Sequence, residues 1–183
     1  MDRLELLLVV VALAAAAPLG LAQATSVSQY CLGKPEQQFL RLIDDYRASK
    51  GLGKLVAGQR IGAAAQHHSV DMAKRDYFSH TTEGTTVGPK QRMINHGYPA
   101  DKTSWGENIY AGYGDTDGVG LQEQSAREAF NGWKNSPDHN RNMLTETFKA
   151  IGIDRAYNAD ATYKYYWTTD FGGLVDSQAA KLC

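Results

Sequence analysis

Along the first two thirds of the chain, apolar residues recur every three or four positions, and in the last third that period is lost. In KPEQQFLRLIDDYRASKG, Phe39, Leu42, Ile43 and Tyr46 share one helical stripe, with Pro35 suited to the first turn and Gly51 to the exit. A second helix is expected over roughly Gln59 to Asp76, with Ile61, Ala64, Ala65, His68 and Met72 on its inner face. His68 then reads as a satisfied core histidine, and His67, on another face, as solvent-facing. PKQRMINHG gives a short helix between Pro89 and Gly97; His96 in its last turn reads as structural, a cation suited to the helix dipole. WGENIYAG follows as an extended segment, then the glycine-and-aspartate loop GYGDTDGVG. A helix from Leu121 to Trp133 comes next, with Ala126, Ala129, Phe130 and Trp133 on one stripe.

FKAIGIDRAY and YKYYWTTDFGG are rich in β-branched and aromatic residues, and NADAT between them supplies a turn. They read as an antiparallel hairpin. Helices first, one strand around Glu107 and a hairpin last make an α+β layered domain without internal repeats.

Residues 1–22 stand apart. Arg3 opens the segment, an apolar run spans Leu6 to Ala17, and Gly20 and Ala22 close it, the pattern of a secretory signal peptide cleaved after Ala22 or Ala24. The run is short for a membrane span and Pro18 breaks it, so no stable membrane insertion is expected after cleavage. Residues 23–34 read as a polar leader and 35–183 as one domain with room for a sizeable core. Cleavage removes Asp2, Arg3 and Glu5 from a chain of formal net charge -1, leaving the mature chain formally neutral. That balance argues against nucleic acid or an anionic membrane as the main partner.

The chain has 2 cysteines, Cys31 and Cys183, near the two ends of the exported part. An even count in an oxidising compartment predicts a bridge between them, and the loop-entropy estimate for so long a loop is about 5 kcal/mol. The alternatives are two unpaired thiols or a link to another chain.

The stretch WKNSPDHNRNML carries candidate chemistry. Ser136 and Pro137 read as the N-cap and first residue of a helix, with Asp138 suited to its positive end. The Ser136 hydroxyl is expected on backbone N–H groups, and His139 projects from the helix start. His80 follows Tyr77 and Phe78, and Glu107 follows Trp105 and Gly106, so all three polar residues border bulky aromatics. Two imidazoles and a carboxylate can bind a divalent cation or run acid–base chemistry if the fold gathers them.

Five motifs in order, SVDMAKRDYFSH, RMINHGY, WGENIYAG, the W-x-N-S-P-x-H-x-x-N-M-L stretch and YYWTTDFG, resemble the CAP superfamily. That is the secreted domain (the SCP domain) of cysteine-rich secretory proteins, venom antigens and pathogenesis-related proteins. The resemblance runs from Pro35 to Gly173 and implies a three-layer α-β-α sandwich around an antiparallel sheet, with a central cleft. Carried over, His80, Glu107 and His139 occupy three of four cleft positions, and Asn108 and Ser136 belong to the same surface. Ser136 stands where the animal and plant branches carry a glutamate, and the Gly-His-Tyr-Thr-Gln segment is missing, so the chain resembles a short, bacterial-like branch. Glu128, one turn before Trp133, is a possible substitute carboxylate, although a solvated helix-face glutamate is the commoner outcome.

The function expected from these residues is a secreted, monomeric, non-catalytic binding module. Its cleft would take a small apolar or lipid-like ligand or an extracellular partner. A structural role in a cell wall or matrix is the alternative, and a hydrolase using His80 and Glu107 a second one. Against catalysis, no serine or cysteine sits in a recognised activating setting. No cofactor is required; weak zinc binding by His80, His139 and Glu107 is expected, in competition with an arrangement in which Glu107 hydrogen-bonds both histidines.

Overall fold

The computed structural model describes residues 29–113 and 119–183. The expected signal peptide, residues 23–28 of the leader and 114–118 of the glycine-and-aspartate loop lie outside the described residues.

In chain order the elements are β1 (Cys31–Leu32), α1 (Lys34–Ser49), β2 (Val56–Ala57), α2 (Gln59–Arg75), α3 (Pro89–Asn95) and β3 (Trp105–Gly112). They continue with α4 (Val119–Lys134), α5 (Pro137–Leu144), β4 (Ala150–Tyr157), β5 (Tyr165–Gly172) and β6 (Lys181–Leu182). The periodicities place their residues as expected. Phe39 and Ile43 of α1, and Ile61, Ala64, Ala65, His68 and Met72 of α2, are all buried. Ala126, Ala129, Phe130 and Trp133 of α4 are buried too.

The larger sheet has the order β2-β4-β5-β3. β4 and β5 form the antiparallel hairpin, in register from Ala150 opposite Gly172 to Tyr157 opposite Tyr165. β3 runs antiparallel to β5 at the sheet's edge and sets Glu107 opposite Asp170. The short β2, which the sequence pattern did not reveal, pairs parallel with β4 at the opposite edge. α2 lies on one face of this sheet, while α1 and α4 cover the other, which makes the α-β-α sandwich.

The expected polar leader is corrected by the structure. Tyr30 and Leu32 are core residues, and the Tyr30 hydroxyl donates to the Ile153 carbonyl. β1 pairs parallel with β6, and Cys31 is bridged to Cys183 with their Cα atoms 5.3 Å apart. Of the cysteine alternatives, the intrachain bridge is the one formed. The chain before β6 also serves α2, whose N-cap residue Gly58 has no side chain to cap with. Asp176 does it from a distance, its Oδ2 accepting the N–H of Arg60 at 2.7 Å and of Ile61 at 3.1 Å. Among the described residues no helix is long and apolar enough to cross a membrane.

Candidate functional site

Asp76 ends α2 in the left-handed conformation, φ 53°, and turns the chain into the loop that carries His80. Backbone of that loop is held from below. Arg92 of α3 donates Nη1 to the carbonyl of His80 at 2.8 Å, and His68 of α2 bonds the Ser79 carbonyl through Nε2 at 2.8 Å. Glu107, near the start of β3, faces the same side of the sheet as α2 and α3. Its Oε1 pairs with His80 Nδ1 at 2.7 Å, and its Oε2 accepts from Arg92 Nη2. Glu107 and Arg92 are almost fully buried side chains, 1% and 2% exposed, while His80 is 50% exposed. Buried ions persist only when paired, and here the guanidinium supplies the pairing.

His139 reaches the same place from α5. Two asparagines strap α5 to β3: Asn108 Nδ2 donates to the His139 carbonyl at 3.0 Å, and Asn142 Nδ2 donates to Asn108 Oδ1 at 2.8 Å and the Glu107 carbonyl at 3.2 Å. Asn108 is thus a buried structural member of the cleft rather than part of its surface.

Two expectations about this region are corrected. Ser136 is the N-cap of α5 by position, yet its hydroxyl makes no capping bond and meets His139 Nδ1 at 2.9 Å. A ring three residues on and aimed back at the helix start competes with the backbone for it. Glu128 is not a cleft residue: half-buried on α4, it accepts from the Tyr165 hydroxyl and from Gln124 Nε2 at 3.0 Å. Elsewhere, burial and then the charges of His67 and Arg92 lower the pKa of His96 from the ordinary 6.5, which disfavours the cation expected at the end of α3.

The electrostatics follow from burial and neighbours. Burial pushes the Glu107 carboxyl up, but the His80 hydrogen bond and the Arg92 charge outweigh it, so Glu107 stays ionised. Asp170, fully buried beside it, is pushed well above the usual carboxylate range by burial and then by the Glu107 charge. Across the β3–β5 pair the two carboxyl groups disfavour each other's charge, and Asp170 is the one whose pKa rises. His68 is held neutral, its pKa lowered from 6.5 to about 4, chiefly by burial. Burial, then the His80 charge, also lowers the pKa of His139.

Sequence reasoning missed Arg92, Asn142 and Asp170. Each lies inside a quoted motif, and the available signal was a charged or amide side chain directly followed by a large apolar residue. The structure brings His80 and Glu107 into contact and places His139 within electrostatic reach of His80, bonded to Ser136 instead of Glu107. Among the described residues no group of three or more His, Cys, Asp or Glu side chains is arranged to hold a metal ion.

Comparison with known proteins agrees with this architecture. The chain is 33% identical over 124 residues to the uncharacterized membrane protein YlbC of Bacillus subtilis (strain 168), an alignment covering 67% of this chain and 32% of YlbC. It therefore spans about a third of that relative's length. An extracellular protein containing an SCP domain from Bacillus anthracis str. Ames superposes with a TM-score of 0.55 at 27% identity, over 74% of this chain and 39% of the other. An outer surface protein from Borrelia burgdorferi shares the fold, with a TM-score of 0.61 at 19% identity, over 75% of this chain and 91% of that one. The model of one family spans residues 40–171, from α1 to the end of β5, and by that match the chain belongs to the cysteine-rich secretory protein family, CAP.

Proposed function

We propose that this protein is a secreted, non-catalytic CAP-domain binding module whose cleft takes a small apolar or lipid-like ligand, or the apolar surface of an extracellular partner. The observation that carries this reading is the state of Glu107: buried, with one oxygen on His80 and the other on Arg92. A general base or nucleophile needs an accessible lone pair. Both oxygens of this carboxylate are buried and engaged, and its work is to fix the cleft wall. The apolar preference rests on Phe78 and Trp105, which stay 45% and 40% exposed two residues before His80 and Glu107. Exposed rings beside a polar cleft suit a ligand with an apolar body and a polar end.

Titration with a fluorescent fatty acid tests the proposal. Saturable binding at one site per chain is expected, weakened about fivefold by Phe78→Ser or Trp105→Ser, the loss of about 1 kcal/mol of ring contact. Absence of saturable binding, or equal binding by both variants, overturns it.

The hydrolase alternative on His80 and Glu107 meets the same buried, engaged carboxylate, and a serine version rests on the 2.9 Å contact of Ser136 with His139. No carboxylate orients the other ring nitrogen of His139, as nucleophilic catalysis by serine ordinarily requires. Turnover of an ester or peptide library that disappears in Ser136→Ala would establish it.

For a divalent cation, the Nε2 atoms of His80 and His139 are the ligands left, since Glu107 and Ser136 engage the Nδ1 positions. Two imidazoles bind zinc weakly, and acid weakens the binding because a protonated imidazole cannot ligate. Calorimetric titration with zinc on the wild type, His80→Ala and His139→Ala measures this directly; heat that is unchanged in both variants rules the site out.

A further inference from the structure

A second pocket, with a volume of about 340 Å³, lies where α2, the end of α3 and the chain before β6 meet. Its walls include Gln59, Arg60, Asn95, His96 and Gln178. None of the lining residues is acidic. Among the described residues the Arg60 guanidinium makes no hydrogen bond or ion pair; its stem lies along Gly97, where an added Cβ would sit 3.5 Å from Arg60 Cδ. The nearby Asp176 does not neutralise it. That carboxylate accepts the backbone N–H groups of Arg60, Ile61 and Gln178, at 2.7, 3.1 and 3.2 Å. The same bonds, with Gln59 N–H to the Gln178 carbonyl at 2.8 Å, hold the two walls of the pocket together. The pocket is therefore built into the fold, and it offers a solitary cation surrounded by amides.

Amide side chains donate and accept at once, as hydroxyl groups do, and an unpaired guanidinium presents a fork that fits a carboxylate. His96, held below its ordinary pKa by burial and by the His67 and Arg92 charges, adds a neutral imidazole with one donor and one acceptor. The volume lies in the range of small-ligand sites and far below that of a macromolecular surface. We propose that this pocket, on a different part of the molecule from the cleft, binds a carboxylated, hydroxyl-rich molecule of monosaccharide size, with Arg60 holding the carboxylate and Gln59, Asn95 and Gln178 reading the hydroxyls.

Backbone-amide NMR of the mature protein, titrated at neutral pH with glucuronate, glucose and acetate, tests the proposal. Glucuronate should give saturable shifts centred on Gln59, Asn95 and Gln178, with an affinity at least about tenfold above either glucose or acetate, since each of those carries half of the recognised chemistry. Arg60→Gln should reduce glucuronate binding about tenfold toward the level of glucose, Gln178→Ala should reduce it less, and His80→Ala should leave it unchanged. Equal affinity for glucose and glucuronate, glucuronate binding untouched by Arg60→Gln, shifts centred on His80 and His139, or no saturable shift with any probe each overturn it.

Discussion

β4 and β5 present opposite chemistry to their two neighbouring layers. Toward α1 and α4 they turn Ile151, Ile153, Trp167 and Phe171, which pack with Phe39, Phe130 and Trp133. The rings of Phe39 and Trp133 meet edge-on at 5.2 Å. Toward α2 the same strands turn Gly152, Asp154, Thr168 and Asp170, and β3 adds Glu107. The difference has a steric origin. A Cβ on Gly152 would lie 2.2 Å from the Ile61 carbonyl oxygen, so the backbone of α2 rests directly on the strand. At that point there is no volume for a large ring, whereas Tyr166 on the same side packs against Met72 and Ala73. Short side chains fill the gap there and several are polar. Hydrogen-bonded groups stand at both ends of this face, Asp154 with Ser69 at one and Arg92, Glu107 and His80 at the other. One face secures the fold by one large apolar cluster, while the other combines two smaller apolar clusters with a polar seam whose open end is the cleft.

The largest test sets the two faces against each other. Trp133→Ala and Arg92→Met should each cost about 3–5 kcal/mol, the first by a cavity and the second by leaving a buried carboxylate without its cation. Urea unfolding at several pH values separates them. Glu107 has its pKa depressed in the folded state, so its contribution is present above the ordinary carboxylate range and lost on acidification. The Arg92→Met deficit should therefore shrink as the pH falls, and the Trp133→Ala deficit should not. Parallel behaviour would erase the distinction between the faces.

A smaller effect is expected at His68. Its pKa falls from 6.5 to about 4 on folding, so the stability it confers is complete above 6.5 and is lost as the pH drops toward 4. That loss amounts to up to about 3 kcal/mol, and the His68→Gln protein should be spared it. Glu36 and Asp154, raised by burial first to about 7 and about 6, titrate in the opposite sense, so variant and wild type are compared at each pH. A difference that stays constant from pH 7 to 4 would contradict the neutral, buried imidazole.

Below the ordinary carboxylate range Asp170→Asn should change stability by less than about 1 kcal/mol, because the carboxyl is then neutral in the folded and the unfolded chain alike. The sign should favour the variant increasingly as the pH rises, since the raised pKa of Asp170 makes the native carboxyl a growing cost there. A large loss at neutral pH would mean that Asp170 is ionised. Smallest is Ser136→Ala. A working N-cap is worth about 1 kcal/mol, but this hydroxyl bonds His139, so thermal unfolding should move by no more than about 0.5 kcal/mol.

The apolar face was legible in the sequence because periodicity reports it. Phe39, Ile43, Ala126, Ala129 and Trp133 all lie where the helical stripe places them. The hairpin was legible for a related reason, since its β-branched and aromatic runs straddle an evident turn. The polar seam was only half legible. His80, Glu107 and His139 stood out as polar groups among aromatics, but Arg92 looked like an ordinary helix-surface arginine and is 2% exposed. Arg47 is the same case in α1, buried with bonds to the carbonyls of Gly53 at 2.8 Å and Met143 at 2.8 Å. Long-range satisfaction of a buried charge leaves no local pattern. The partner of Ser136 was missed because capping is a local rule, and the competing imidazole takes its position from β3 through Asn108.

The bridge between Cys31 and Cys183 bears on how the domain carries tension. Force applied at those two residues passes through one S–S bond, flanked by the paired β1 and β6, and the chain between them, a sequence separation of 152, lies outside the load path. A domain tethered by both ends is thereby shielded: neither the hairpin nor the cleft is sheared until the covalent link is cut.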